Sequence, residues 1–319
     1  IARDKSYHGN TLGALATGGH KQRQIPFAPL LIDVAHIPPC YAYRYKRAEE
    51  TLEEFGYRMA SYLEVEILEQ GPENVAAFVV EPVSGASLGA EPAAPGYFKR
   101  IREICDQYGV LFIADEVMCG IGRTGHLFAM EAEGVTPDIF TIAKGLGAGY
   151  QPIASVMASE KVIDAIKQGS GNLWNGHTYM SHAIACAGAL AVLKVIEEDQ
   201  LLGNVRSQGA KLKQMLEDNF SDHLNIGDIR GRGLFWGLEI VADKDTKEPF
   251  PSEYNLAGKI KADILENGML SYPSQGCVDG IRGDHILLAP PYTITDDELV
   301  IIIETVKKCL NNQLDQLKS

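Results

Sequence analysis

No stretch of this 319-residue chain approaches the ~20 consecutive apolar residues a membrane-crossing helix needs, so a membrane partner is not expected. Cysteine is sparse: Cys40, Cys105, Cys119, Cys186, Cys277 and Cys309 are scattered with no C-x-x-C pair. That argues against a zinc ribbon or a disulfide scaffold and points to a reducing, cytoplasmic setting. Positive charge is also short. Lys+Arg number 29 against Asp+Glu 42, and the net charge of -13 repels phosphate backbones and anionic lipid, so no nucleic-acid partner is expected. There is no internal repeat, low-complexity tract or Gly/Ser linker. The chain opens on Ile1-Ala2-Arg3-Asp4, neither a start methionine nor a signal peptide, and an upstream portion is expected to be missing.

What is present is ordinary globular material, and the length allows about two domains. Val75–Val80, Val110–Ala114, Ile139–Ala143 and Ile153–Ala158 are short continuous apolar runs. Tyr97–Tyr108 sets Phe98, Ile101, Ile104, Cys105 and Tyr108 on one helical face with Gly109 as its cap, and Ala183–Glu198 predicts a long, Ala-rich buried helix. Apolar runs alternating with helices predict an α/β fold: a mostly parallel sheet flanked by helices. Beyond about residue 205 the texture changes. Helices are expected over Gly209–Phe220 and Leu256–Glu266, and a strand within each of Ile229–Val241 and Ile286–Ala289. Thr295-Asp296-Asp297-Glu298 has the form of a capping box opening a final helix. The expected division is a large domain, residues 1–205, and a smaller C-terminal α+β domain, residues 206–319.

In open parallel α/β sheets, ligands bind beyond the carboxyl ends of the strands. Three apolar runs here end in ionisable residues: Glu81, Asp115-Glu116 and Lys144. Singly, each reads better as a helix cap or a solvated loop charge; three in succession, one of them a lysine, point to a site. Carboxylates and an amine in one partly dry crevice shift one another's pKa values, and a lysine there is a natural Schiff-base nucleophile. Gly120–Gly125 spells G-x-G-x-x-G, but Asp115–Cys119 separate it from the strand, which argues against a dinucleotide site. Gly145-Leu146-Gly147-Ala148-Gly149 directly follows Lys144 and lets backbone approach a ligand closely.

The run Leu111-Phe112-Ile113-Ala114-Asp115-Glu116-Val117, then Gly120–Gly125, Pro137-Asp138-Ile139 and Ala143-Lys144-Gly145, resembles the signature of class III aminotransferases, pyridoxal-phosphate enzymes of fold type I. Ser6-Tyr7-His8-Gly9, Glu81-Pro82, Gly176-His177-Thr178-Tyr179, Arg230–Leu234 and Ala289-Pro290-Pro291 add to it, so the likeness covers essentially the whole chain. It implies that Lys144 carries the cofactor as an internal aldimine and moves the substrate proton. It implies that Asp115 pairs with the pyridine nitrogen, that Tyr7 stacks on the ring, and that His8, Val117 and Glu81 belong to the same cofactor site. Thr178 would reach the phosphate in a neighbouring subunit, making a homodimer, or a tetramer built from it, the active unit. As plain alternatives, Tyr7 reads as a core aromatic and Thr178 as a helix cap. Glu81, Arg123 and Arg230 read as framework. The partners implied are an amino donor and a keto acid.

The sequence departs from the family pattern in four places. A Glu after Glu-Pro and an Arg before Ala-Pro-Pro, which handle a substrate carboxylate in glutamate- and ornithine-using members, are matched by Ala86 and Leu287. The Arg of 4-aminobutyrate enzymes is Asn10, and the Gln after Asp-Glu-Val is Met118. The remaining resemblance is to the ω-aminotransferase branch, which passes amino groups from ω-amino acids or amines to pyruvate; diaminopelargonate aminotransferases, aminomutases and decarboxylating transaminases share the motifs. Arg282, just before Gly283-Asp284-His285, is the candidate clamp for the keto acid, its alternative a solvated loop arginine. The Gly/Ser-rich loop that cradles the cofactor phosphate upstream of Tyr-His-Gly is not in these residues, so weakened cofactor binding by this chain is expected.

Overall fold

The computed structural model describes residues 1–317. One four-stranded sheet runs in the order Ala77–Val80, Leu111–Asp115, Ile139–Ile142, Ser155–Ala158. Its first three strands are parallel, and Ser155–Ala158 closes the edge antiparallel. The expected α/β fold is thus present, with the mostly parallel sheet flanked by helices.

The helices form for local reasons. Tyr97–Tyr108 follows its apolar stripe and stops where Gly109 adopts the left-handed conformation, φ +69°. Leu52–Gln70, absent from the periodicity reading, is started by a reciprocal capping box of Thr51 and Glu54. Both helices press Phe55, Met59, Leu63, Phe98 and Ile101 onto Phe78 and Phe112 of the sheet. Each such side chain, once buried, is worth about 1.5–3 kcal/mol.

Register then decides where the polar strand ends fall. Val80 lies opposite Ala114, and Asp115 opposite Thr141, so Glu81, Asp115 and the residues after Ile142 emerge along one edge. Glu116 N–H continues the ladder onto the Thr141 carbonyl at 2.9 Å.

The second sheet is wholly antiparallel: Tyr272–Gln275, Asp284–Leu288, Phe235–Ile240, Ile226–Arg232. Leu201–Phe220, Leu256–Glu266 and Asp296–Gln316 close its core through Leu212, Leu216, Ile260, Ile264, Leu299 and Val306. Thr295 and Glu298 do form the capping box. Two expectations change. Ile229–Val241 holds most of a hairpin, because Gly233 (φ +59°) turns the chain where added side-chain bulk would strike the Thr124 backbone. Ala183–Glu198 is helical over that range, but only Ala185, Ala189 and Ile196 are buried. Its outer face, including Ile184 and Leu190, stands exposed, with no element covering it among the described residues. Among the described residues no helix is long and apolar enough to cross a membrane.

Candidate active site

Asp115, the last residue of its strand, is fixed by two donors. Its Oδ1 accepts the Val117 backbone N–H at 3.0 Å, and its Oδ2 lies 2.7 Å from His8 Nδ1. The other ring nitrogen of His8 is buried with no hydrogen-bond partner among the described residues. Glu81 pins the neighbouring segments: one carboxylate oxygen accepts Tyr7 N–H at 3.0 Å, the other Gly85 N–H at 2.8 Å. Burial raises its pKa, with His8 opposing the shift and the Asp115 charge reinforcing it. Glu116 accepts the N–H groups of Ala129 and Met130 at 2.6 and 3.0 Å, and burial pushes its carboxyl up to about 7. Within the described residues it braces the following loop.

Lys144 sits at φ +44°, a left-handed conformation unusual for a residue with a Cβ. A single 3-10 turn over Lys144–Leu146 holds it there, with Gly147 and Ala148 N–H both donating to its carbonyl. Such backbone costs about 1–3 kcal/mol and concentrates at functional sites. No ion pair or hydrogen bond holds the side-chain amine among the described residues. The walls around it strip water and lower its pKa, against the opposing charges of Asp115 and Glu81. An amine reachable from solvent, partly desolvated and within the field of two carboxylates has the makings of a nucleophile.

That amine opens on a cavity of about 500 Å³ between the two sheets. Tyr7, Ala86, Met118 and Lys144 line it together with Leu270, Ser271, Tyr272, Ser274, Leu287 and Ala289, which come from the second sheet and its flanking segments. His20 and Arg23 complete the lining, and no carboxylate is part of it. Three of the four departures from the family pattern, Ala86, Met118 and Leu287, therefore share one surface. Asn10 is exposed and outside it.

Two sequence candidates lie elsewhere. Thr178 is exposed in the turn before Ala183–Glu198 and is not that helix's cap, a place taken by His182, whose Nδ1 accepts Ala185 N–H. Arg282 does not line the cavity; its guanidinium is held by Asp279 at 2.7 Å and Glu248 at 3.1 Å. Arg123 and Arg230 do tie the two sheets' surroundings together. Arg123 donates to the carbonyls of Leu234 and Pro290 at 3.0 and 2.6 Å. Arg230 is buried among Glu91, Asp228 and Glu239 and donates to the Leu88 and Gly89 carbonyls.

Residues 1–310 match the family described as aminotransferase class-III. The chain belongs to the class-III aminotransferases. It is 48% identical to an uncharacterized aminotransferase of Schizosaccharomyces pombe over 99% of this chain and 69% of that protein. It is 38% identical to the chloroplastic gamma aminobutyrate transaminase 3 of Solanum lycopersicum, spanning all of this chain and 61% of the relative. An aminotransferase of Gibberella zeae, at 45% identity, is also covered over only 61% of its length. Among solved structures, the omega transaminase of Pseudomonas jessenii in complex with PMP superposes with a TM-score of 0.91 at 34% identity, over 99% of this chain and 68% of that one. Pyridoxal phosphate is the cofactor of this class-III family.

Sequence reasoning did not find His20, Arg23 or Tyr272. The first two fall in a stretch without strong periodicity, and nothing short of the fold brings them to Lys144.

Proposed function

We propose that this chain carries the core of a pyridoxal-phosphate-dependent transaminase that moves an amino group from an ω-amino acid or amine to a keto acid, with pyruvate as the acceptor. The observation that carries the reading is the unpartnered Lys144 amine on a cavity wall, within the field of the anchored Asp115 carboxylate. The donor set fits the cofactor: a free amine for its carbonyl, a carboxylate fixed by two donors for its ring nitrogen, and Tyr7 on the cavity wall for its ring face. When bound, pyridoxal phosphate supplies an electron sink for the charge left as a substrate proton departs.

Each residue then has a task. Asp115 keeps its negative charge aimed at one place because Val117 N–H and His8 hold both oxygens, which is electrostatic preorganisation rather than rearrangement during reaction. With the cofactor bound, Lys144 would be the nucleophile that holds it and the base that moves the proton at the substrate carbon bearing the amine. Its lowered pKa suits both tasks by making the neutral amine available nearer neutral pH. Glu81 and Val117 position Tyr7 and Asp115, and Arg123 and Arg230 keep the cavity walls in register.

The site is read as shared between two copies. Thr178, exposed beside the uncovered face of Ala183–Glu198, would complete the phosphate site of a partner subunit, so the unit is a homodimer at least. The reading of a large domain, 1–205, and a smaller one, 206–319, is supported by the two largest buried clusters, one on each four-stranded sheet, although Val205 packs in the C-terminal one and the helix Leu201–Phe220 crosses the boundary. Six free cysteines suit a reducing compartment such as the cytoplasm. Borohydride reduction of the full-length protein loaded with pyridoxal phosphate, followed by peptide mapping, should mark Lys144, and alanine should form from pyruvate with a panel of amines. Label on another lysine, or no alanine from any donor, would overturn the reading.

A further inference from the structure

Arg23 is the basic side chain on the cavity wall that the chemistry above does not use. It is presented by the short helix Lys21–Gln24, whose position is secured when the Gln24 side-chain amide donates to the Leu15 and Gly18 carbonyls. Its guanidinium lies over the Tyr7 ring, Cζ to centroid 5.0 Å. A cation against an aromatic face is oriented without being neutralised. No carboxylate pairs with it among the described residues, whereas Arg282 is already committed to Asp279 and Glu248. Beside it, His20 also lines the cavity, its buried Nδ1 without a hydrogen-bond partner among the described residues. The cavity wall itself carries the cations Lys144 and Arg23 and no acid among the described residues, while the Asp115 and Glu81 carboxylates act on Lys144 from behind that wall. The rest of the lining is neutral or apolar, Ala86 and Leu287 included, so no other charged side chain of the wall competes with Arg23 for an anion.

We infer that Arg23, with His20 beside it, binds the anionic group of the substrate, so that the cavity selects amino donors carrying a carboxylate over amines that lack one. This rests on the transaminase reading and narrows its substrate class to carboxylates held at the end of the cavity marked by Tyr7. A planar guanidinium suits a carboxylate because two parallel N–H groups meet two oxygens. The cofactor phosphate is the other anion Arg23 could meet, and the experiment separates the two.

In the full-length holoenzyme, kcat/KM is measured for ω-amino acids of three to six carbons and for alkylamines of matching length, in wild type, Arg23→Gln and Arg23→Lys. The acid-to-amine ratio should fall about 10- to 100-fold in Arg23→Gln, the range of a lost charge-assisted hydrogen bond, and recover in part in Arg23→Lys. Calorimetric binding of pentanoate should weaken by a similar factor, while the Kd for pyridoxal phosphate stays within about twofold. An unchanged ratio, an equal fall for acids and amines, or a loss of pyridoxal phosphate affinity instead of pentanoate affinity would overturn the assignment. If no donor is transaminated at all, the transaminase reading fails, and pentanoate binding by the two variants still decides Arg23.

Discussion

His8 Nδ1 lies 2.7 Å from Asp115 Oδ2, and these two residues are the tightest link between the Ser6–Gly9 segment and the parallel sheet's edge. The bond explains why an Asp ends the strand Leu111–Asp115: one oxygen is taken by Val117 N–H, the other by an imidazole whose far nitrogen is buried and without a partner among the described residues. Asp115→Asn would retain one acceptor and lose the charge. Its kcat should drop by about 10²–10³-fold, the usual effect of removing a preorganised electrostatic partner. His8→Ala removes the support and leaves the charge, so its loss should be about tenfold. Steady-state assays of the two variants check the order; a larger effect for His8→Ala would contradict it.

Lys144 should react ahead of the exposed lysines. Desolvation lowers its pKa, so its neutral fraction rises at lower pH than theirs as pH increases. Limited reductive methylation near neutral pH, read by mass spectrometry of the cofactor-free protein, should label Lys144 early. Lys144→Ala should cut transamination by about 10³-fold or more.

Much of this was legible in the sequence because strand ends announce themselves. Continuous apolar runs terminated by Glu81, Asp115 and Lys144 map onto parallel strands whose register brings those ends together. Tyr97–Tyr108 could be read to the residue, since its amphipathic stripe and Gly109 agree. The Phe235–Ile240 strand could not: all six of its residues are buried, so alternation gives no mark of where the hairpin turns. The outer face of Ala183–Glu198 misled in the other direction: its apolar composition predicts burial, yet Ile184 and Leu190 are exposed among the described residues. Arg23 was invisible, its role set by a long-range contact with Tyr7 rather than by local pattern.

Ala86 and Leu287 should behave as one position. Leu287→Arg alone places an unpaired cation in a largely apolar, partly buried wall and should destabilise the fold by about 2–4 kcal/mol. Adding Ala86→Glu should recover at least about 1 kcal/mol, a coupling that a double-mutant cycle in urea measures directly. Strict additivity would show that the two sites do not meet.

Asp284 gives a pH signature free of the reaction. It is fully buried; Oδ1 accepts Ala257 N–H at 3.0 Å, and Oδ2 has no partner among the described residues. Burial pushes its carboxyl from the usual 3.8 up to about 6. The unfolded chain therefore ionises first as pH rises, so stability is lost between about pH 4 and 6 and stays lost above. His285, buried and lowered to about 4, acts with the opposite slope in the same window and is common to both proteins compared. Asp284→Asn should thus gain on wild type by of order 1–3 kcal/mol between pH 4 and pH 7. Denaturant melts at the two pH values read the difference; a pH-independent offset would refute it.

The uncovered apolar face carries the last expectation. Trp174, Tyr179, Ile184 and Leu190 are 83, 79, 65 and 67% exposed and cluster around Thr178 in the chain. A contiguous exposed apolar patch is what a subunit interface presents before a partner covers it. Sedimentation of the full-length protein should show a dimer at micromolar concentration. Trp174→Asp with Ile184→Asp should raise its dissociation constant by about 10²-fold or more, the loss of two interface anchors. Thr178→Val, which leaves that face apolar, should keep the dimer and weaken pyridoxal phosphate binding. A monomeric wild type, or a Thr178→Val protein with undiminished cofactor affinity, would remove the partner's threonine from the site.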